Sequence, residues 1–447
     1  MPYPVARFTI ICLLMACSGR AVPLLDRSGG GGDAGASALD MAIAPLVPDT
    51  FLDVTPAAES TEIMPTFEFH SDVADAEFEC RVDSTTFLPC YTPRQYTLQH
   101  VGDHTFEVRA VAGGATDPTP ARFDWRLDSP YPDIAVIEAN DAWVQVGDEW
   151  RFGEGDAFYR FAAPFYDTWP DDFDFLIVWS DFAMRGQSFA AFEVNVKYDV
   201  AGIGFEQLGV FGEDLTGLAG SAGRLQSLVY MNGKDYWSFR SQQEVLDVVA
   251  QEVGHRWLAF IPLLWESDPY LLLCPSSRAH WNLFAGFDAP SPLGLNQQWT
   301  RQNADGTFTS EYFTPVAYTS FDLYAMGMLD PLDTPPFFFV RNPYAFSPPT
   351  DPFGNPWNPE SYVFGSVDFS GERVDVTLSD IVAALGPRDP EFGRAQTDFR
   401  QAFVLVTPPG EPASIDSLEW LDEMRLDWQD SFSDMTRGVG SVDTSLQ

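Results

Sequence analysis

Lysine is almost absent from this chain of 447 residues, since Lys197 and Lys234 are the only two. With arginine they make 25 basic residues against 65 acidic ones, and the formal net charge is −40. A surface of that charge repels phosphate backbones, so nucleic acid is excluded as an expected partner. The acidity does not predict a disordered chain, because 45% of the residues are hydrophobic and 15% are aromatic.

Long apolar runs are also missing, and no stretch is long enough to predict a transmembrane helix. The apolar run 8–16 follows Arg7 and has the length of the hydrophobic region of a signal peptide. It leads into the sequence LMAC, which resembles the lipobox of bacterial lipoproteins and ends at Cys17. The resemblance implies a lipid on Cys17, contact with the membrane through that anchor only, and a place in the cell envelope, at the outer membrane or cell surface. The alternative is ordinary secretion with an incidental cysteine.

Five cysteines are present in all. Cys12 would leave with the signal peptide, and Cys80 and Cys90 are close enough in sequence to form a disulfide in the oxidising compartment that export implies. Cys274 follows three leucines, which favours a buried and inert thiol. A catalytic pair of Cys274 with His280 is the alternative, although no pattern supports it.

The chain is predicted to have four segments: a lipoprotein signal peptide at 1–16, a flexible linker at 17–50, a β-sandwich at 51–128 and a larger domain at 129–447. The linker contains GGGGDAGAS and no hydrophobic periodicity. Short alternating strands separated by turn residues predict the sandwich. Its strings FECRVDSTTFLPC and GDHTFEVRAV resemble the immunoglobulin-like repeats of exported bacterial proteins, which implies a spacer or binding module without chemistry.

Strands and one strong helix are predicted early in the larger domain. The expected strands are 174–179, 192–198 and 224–232. A helix is expected to begin near Ser241, with Glu244 as the partner of a capping box. Beyond residue 260 the abundance of Pro, Gly and aromatic residues favours long ordered loops with scattered short helices, one of them amphipathic at 414–429.

The string VLDVVAQEVGHRWLAF, residues 245–260, carries the chemistry. On a helix, Gln251 and His255 lie one turn apart on the same face, with Glu252 beside them. This arrangement resembles the HExxH helix of zincin metallopeptidases. In that motif two histidines bind zinc, and the glutamate acts as general base on a zinc-bound water.

Two later segments extend the resemblance. His280 lies in an AHW string similar to SHW, and residues 318–327 are similar to the pattern YSxxDxYxMG of a group of exported bacterial peptidases. A hairpin is expected between them at Asp305 and Gly306. The resemblance implies a zinc-dependent endopeptidase that acts on extracellular protein or peptide. Its implied metal ligands are His255, His280 and Asp322, around Glu252 as the general base.

One departure from the motif bears on activity. Gln251 stands where the first histidine belongs, and its neutral amide oxygen is a poor zinc ligand. Beyond the β-sandwich the sequence contains only His255 and His280, so a site of three histidines is excluded there. A metal would need both imidazoles and an oxygen ligand, for which Asp322 is the first choice. Whether His280 or Asp322 is the third ligand in active relatives stays open.

The expected fold class is therefore multi-domain: an all-β immunoglobulin-like sandwich followed by an α+β zincin-like metallopeptidase domain with long loops. The first functional hypothesis is a zinc-dependent endopeptidase with a degenerate metal site. The second is a catalytically inactive pseudo-peptidase that serves as a cell-surface module binding protein or glycan. A phosphate-binding glycine loop, a GxSxG elbow and a CxxC pair are all missing from the sequence.

Overall fold

Strands rather than helices build most of this protein. The computed structural model describes residues 46–147, 149–182, 184, 191–261, 272–273, 279–294, 298–345 and 366–447. Strands account for 36% of the residues and helices for 21%. The expected fold class, an immunoglobulin-like sandwich followed by an α+β zincin-like domain, is therefore wrong, because the chain is mostly β with several separate sheets. The predicted signal peptide, Cys17 and Cys274 lie outside the described residues.

The first strands form two sheets. They are β1 (Thr50–Val54), β2 (Glu59–Ser60), β3 (Thr66–Ser71), β4 (Glu77–Val82), β5 (Leu88–Cys90), β6 (Arg94–Gln95), β7 (Gly102–Ala112), β8 (Ala115–Thr116) and β9 (Ala121–Leu127). One sheet has the order β1-β3-β6 and the other β2-β9-β7-β4-β5, with β8 beside β7. Side chains alternate along β7, so that Phe106 and Val108 join Phe67 and Trp125 in a core that both sheets share.

These two sheets contain a disulfide and also contact a distant part of the chain. Cys80 and Cys90 form a disulfide between β4 and β5, as the cysteine spacing leads one to expect. The core of the two sheets also includes Ile415, which is far away in sequence. Contacts between Cα atoms place the whole stretch 47–447 in one compact unit, although β9 ends one residue before the predicted boundary at 128.

The remaining elements follow in chain order. They are β10 (Ile134–Glu138), β11 (Trp143–Val146), β12 (Glu149–Phe152), α1 (Ala157–Arg160), β13 (Phe175–Ser180), β14 (Phe192–Asn195), α2 (Phe205–Leu208), β15 (Ser227–Gly233), α3 (Gln242–Gly254), β16 (Ala285–Gly286), β17 (Gln298–Gln302), β18 (Phe308–Tyr312), α4 (Ser320–Met326), β19 (Phe337–Ala345), β20 (Val367–Val376), α5 (Leu378–Leu385), β21 (Asp398–Thr407), α6 (Ile415–Met435) and β22 (Ser441–Asp443). None of the described helices is long and apolar enough to cross a membrane.

A mixed sheet lies at the centre of this region, with the order β10-β21-β13-β15-β14. The first four strands are parallel to their neighbours, and β14 pairs antiparallel with β15 at one edge. Every residue of β13 is buried: Phe175 and Ile177 contribute to one core, and Leu176 and Val178 to another on the opposite face. A sheet covered on both faces explains why this strand is apolar throughout instead of alternating.

A second, antiparallel sheet has the order β16-β19-β20-β18-β17. It occupies the part of the chain in which long loops were expected. The hairpin around Asp305 and Gly306 is confirmed, with β17 and β18 on its two sides and Gly306 at a φ of +88°. The long strand β19 pairs with β20, which comes after a gap in the described residues. Pairing between strands so far apart has no local composition signal, so the abundance of Pro and Gly here wrongly favours loops.

Candidate functional site

Helix α3 begins where the sequence predicts. The Ser241 hydroxyl accepts from the Glu244 backbone N–H, and the Glu244 carboxylate accepts from the Ser241 backbone N–H at 2.8 Å, which confirms the capping box. The helix ends at Gly254, earlier than the stretch 245–260 suggests. His255 is its C-cap, and its backbone N–H donates to the carbonyl oxygen of Gln251 at 3.1 Å. Gln251 and His255 thus lie one helical turn apart, as expected.

The end of α3 is tightly packed. A Cβ added at Gly254 would lie 2.7 Å from Cδ2 of Leu293 and 3.2 Å from Cε1 of Tyr318. The Tyr318 hydroxyl donates to the carbonyl oxygen of Ala250 at 2.7 Å. A side chain at this position would force its neighbours to shift, so Gly254 lets another part of the chain come close to the helix.

Gln251 and Glu252 are hydrogen-bonded to each other. The Gln251 side-chain amide donates from Nε2 to Oε1 of Glu252 at 3.0 Å. Glu252 is 4% exposed, and this burial raises the pKa of its carboxyl to about 8, although the hydrogen bond from Gln251 acts in the opposite direction. At neutral pH the acid is therefore mostly protonated, whereas a general base has to be ionised.

His255 lies beside His280, the second histidine predicted for the site. Their ring centroids are 5.3 Å apart and the rings are inclined by 73°. Burial lowers the pKa of His255 to about 3, with repulsion from His280 as a smaller cause, and burial lowers the pKa of His280 to about 4. Both rings are neutral at pH 7, and the neutral form is the one that binds metals.

Asp322, the predicted oxygen ligand, has another position. It is the third residue of α4, where it forms a capping box with Thr319 and accepts from that backbone N–H at 2.9 Å. The same oxygen, Oδ2, accepts from the Ser291 hydroxyl at 2.7 Å, and Oδ1 accepts from Nε1 of Trp281 at 2.8 Å. Burial raises the pKa of Asp322 to about 6, although these hydrogen bonds oppose the shift. The carboxyl group is thus engaged in holding the start of α4.

These positions show whether the described residues fit the zinc ion that the resemblance implies. Two imidazoles bound to one tetrahedral ion at about 2 Å have ring centroids about 5 Å apart, so the separation of His255 and His280 suits a shared ion. Catalytic zinc has three protein ligands, however. Within the part of the chain that the structure describes, no three His, Cys, Asp or Glu side chains come together as a ligand set. The structure does not bring Asp322 to the two histidines, and the described residues do not fit a zinc-dependent hydrolase site.

The residue after His255 was not singled out in the sequence. Arg256 is 1% exposed, and its guanidinium donates to Oδ1 of Asp199 at 2.6 Å and to Oδ1 of Asn195 at 3.3 Å. Nδ2 of Asn195 donates in turn to the carbonyl oxygen of His255 at 3.1 Å. The alternating pattern of β14 could have indicated Asn195, which is a buried polar residue at the end of that strand.

Comparison with protein families, with curated proteins and with solved structures gave no match for this chain. Any functional assignment therefore rests on the residues themselves and on their geometry.

Proposed function

We propose that this protein is an exported lipoprotein with the degenerate site of a zinc-dependent endopeptidase, and that it binds extracellular protein or peptide without hydrolysing it. One observation carries the proposal: the amide nitrogen of Gln251, which stands where the resembled motif has its first histidine, donates to Glu252 at 3.0 Å. In the resembled motif the first of these positions holds the metal and the second activates water, whereas here Gln251 and Glu252 are hydrogen-bonded to each other.

The chemistry of both groups argues against hydrolysis. Metal-assisted peptide cleavage needs an ion held in place and an ionised carboxylate that takes a proton from water. With its nitrogen donating to Glu252, the amide of Gln251 can offer a metal only its carbonyl oxygen, which is a weaker ligand than an imidazole. Glu252 is buried and hydrogen-bonded to this amide, which leaves it poorly placed as a base.

The export part of the proposal rests on the sequence. The apolar run 8–16 and the lipobox-like LMAC predict that Cys17 carries a lipid and that the protein lies in the cell envelope. Extracellular protein or peptide is then the class of partner available to it.

A second function, active zinc-dependent endopeptidase, is favoured by one observation. His255 and His280 lie at the separation that two imidazoles sharing an ion would have. An ion held by this pair would still need a further ligand that the described residues do not supply.

Zinc content and proteolysis of the full chain separate the two functions. The wild type, Gln251→His and Gln242→His would each be dialysed against zinc, analysed for bound metal and incubated with unfolded casein. Gln242 is an exposed residue in the first turn of the same helix, so its variant controls for an added histidine. We expect no cleavage by the wild type or by Gln242→His. Gln251→His should gain about one zinc per chain, because it restores an imidazole beside His255.

The proposal fails if the wild type cleaves casein and a chelator abolishes the cleavage. In that case the endopeptidase function is correct. If Gln251→His binds no more zinc than Gln242→His, the site does not descend from a metal centre.

A further inference from the structure

A pocket separate from the histidine site lies at the edge of the central sheet. Its volume is about 330 Å³, within the range of about 300–1,000 Å³ typical of small-molecule sites. It is lined by residues just before β13 and β15, by the start of the segment after β14, by the turn after α3 and by the segment that leads into β21, and Gln251, Glu252, His255 and His280 do not line it. We call it the cation-lined pocket because its walls include Lys197, Arg224, Arg256 and Arg388.

The charge of this pocket is opposite to that of the protein. Four basic side chains line it against two acidic ones, Asp174 and Asp199, so the pocket has a net charge of +2 in a chain with a formal net charge of −40. One of the only two lysines of the chain, Lys197, is among them. Cations gathered in a cleft with low-dielectric walls attract small anions.

Two of these cations have carboxylate partners. Arg256 is paired with Asp199 at 2.6 Å, and Arg224 is paired with Asp174 at 3.0 Å. Both pairs reach solvent, since the Asp199 side chain is 56% exposed and that of Arg224 is 45% exposed.

The other two cations lack such a partner among the described residues. Arg388 is 6% exposed, and its guanidinium donates to the backbone carbonyls of Ala325 and Met326, each at 2.9 Å, and to that of Pro390. Neither Arg388 nor Lys197 makes an ion pair with a carboxylate in the part of the chain that the structure describes. Burial lowers the pKa of Arg388 to about 10, and repulsion from Arg256 is the next largest cause. Asp389 and Asp199 act on the pKa of Arg388 in the opposite direction.

The rest of the wall is mixed, with Gln226 and Gln396 as its polar side chains and two aromatic rings beside them. Trp257 and Phe399 line the pocket, and their rings lie 5.4 Å apart between centroids. A guanidinium fork matches carboxylate and phosphate alike, but Asp174 and Asp199 repel a singly charged carboxylate less than a doubly charged phosphate. We propose that the cation-lined pocket binds a small carboxylate that carries an apolar group, with Lys197 and Arg388 facing the charge and Trp257 and Phe399 facing the apolar part.

Isothermal titration calorimetry on the full chain tests this proposal. The probe is N-acetyl-L-phenylalanine, which has one carboxylate beside an aromatic group, and its uncharged amide and inorganic phosphate are titrated in parallel. Lys197→Gln removes a pocket cation. Lys234→Gln is the matched control, because Lys234 is the other lysine and pairs with Asp416 away from the pocket. Lys197→Arg restores the charge.

We expect the carboxylate to bind to the wild type, Lys234→Gln and Lys197→Arg, and to bind about tenfold more weakly to Lys197→Gln, as the loss of one charge-assisted hydrogen bond predicts. The amide should not bind. Equal affinity of the carboxylate for Lys197→Gln and Lys234→Gln, or no binding to the wild type at millimolar concentration, would overturn the proposal. Phosphate that binds as tightly as the carboxylate would overturn the assigned ligand class. The outcome is independent of casein cleavage, so the pocket and the proposed function can fail separately.

Discussion

His255 and Arg256 are consecutive residues at the end of α3, yet their side chains lie in two regions with different electrostatics. His255 contacts His280 in a site that also holds the bonded pair of Gln251 and Glu252. Arg256 lines the cation-lined pocket and is paired with a carboxylate there. In the histidine site, burial favours the uncharged form of each titratable group. In the pocket, the charges of Arg256 and Arg224 are paired with carboxylates, and the Arg388 guanidinium donates to backbone carbonyls.

The two regions are connected through one side chain. Asn195 accepts from the Arg256 guanidinium at 3.3 Å and donates to the carbonyl oxygen of His255 at 3.1 Å. The amide therefore fixes the backbone of the histidine site and the cation of the pocket together. Variants in the histidine site and variants in the cation-lined pocket show whether the two regions depend on each other.

The largest effect is expected for Arg256→Ala. The variant loses a buried guanidinium and leaves Oδ1 of Asn195 without that donor, so the free energy of unfolding should fall by about 3 kcal/mol, measured by urea denaturation. Arg122→Ala is the matched control, since Arg122 pairs with Asp124 and both side chains are exposed. The control should leave the unfolding midpoint unchanged. Equal effects of the two variants would mean that Arg256 is no more important to the fold than a surface arginine.

Local patterns explain how much of the site could be predicted. The capping box of Ser241 and Glu244 depends on residues three positions apart and is visible in the sequence. The same rule, applied to Thr319 and Asp322, indicates a capping box at the start of α4. The motif resemblance points to Asp322 as a metal ligand, whereas this local signal gives its carboxylate the role of a capping residue.

Contacts between distant parts of the chain were not predictable in the same way. The cation-lined pocket joins Lys197, Arg256 and Arg388, which come from three separate segments, and no spacing rule relates them. The same holds for the antiparallel sheet in which β19 pairs with β20, since only tertiary pairing distinguishes these strands from loops of similar composition. The proximity of His255 and His280 is predicted only by the order of the motifs, because no local periodicity indicates it.

A smaller effect is expected for Gly254→Val, which tests how closely the histidine site is packed. The added side chain would meet Leu293 and Tyr318, so the free energy of unfolding should fall by about 2 kcal/mol, measured by thermal or urea denaturation. Gly217→Val is the control, because a Cβ at Gly217 has nothing within 4 Å. If the free energy of unfolding falls equally in both variants, the decrease comes from the β-branched residue itself, and the close packing at Gly254 does not contribute to stability.

The smallest effect concerns the proton on Glu252 and is seen as a slope of stability against pH. The pKa of this carboxyl is raised to about 8 in the folded chain from an ordinary value of 4.5, so between these values the folded state holds a proton that the unfolded state has released. Stability then decreases as pH rises, by up to about 1.4 kcal/mol for each pH unit.

The window from about pH 7 to pH 8 suits this measurement, because the lowered pKa values of His255 and His280 make those residues act mainly near and below their ordinary pKa of 6.5, and there with the opposite sign. Glu193, whose pKa burial also raises to about 8, adds a slope of the same sign. Glu252→Gln should therefore flatten the decline of the urea midpoint only in part, whereas Glu68→Gln on the exposed side of β3 should keep the full decline. An unchanged slope in Glu252→Gln would mean that Glu252 is ionised in the folded protein. The contrast between an uncharged histidine site and a charged pocket would then be lost.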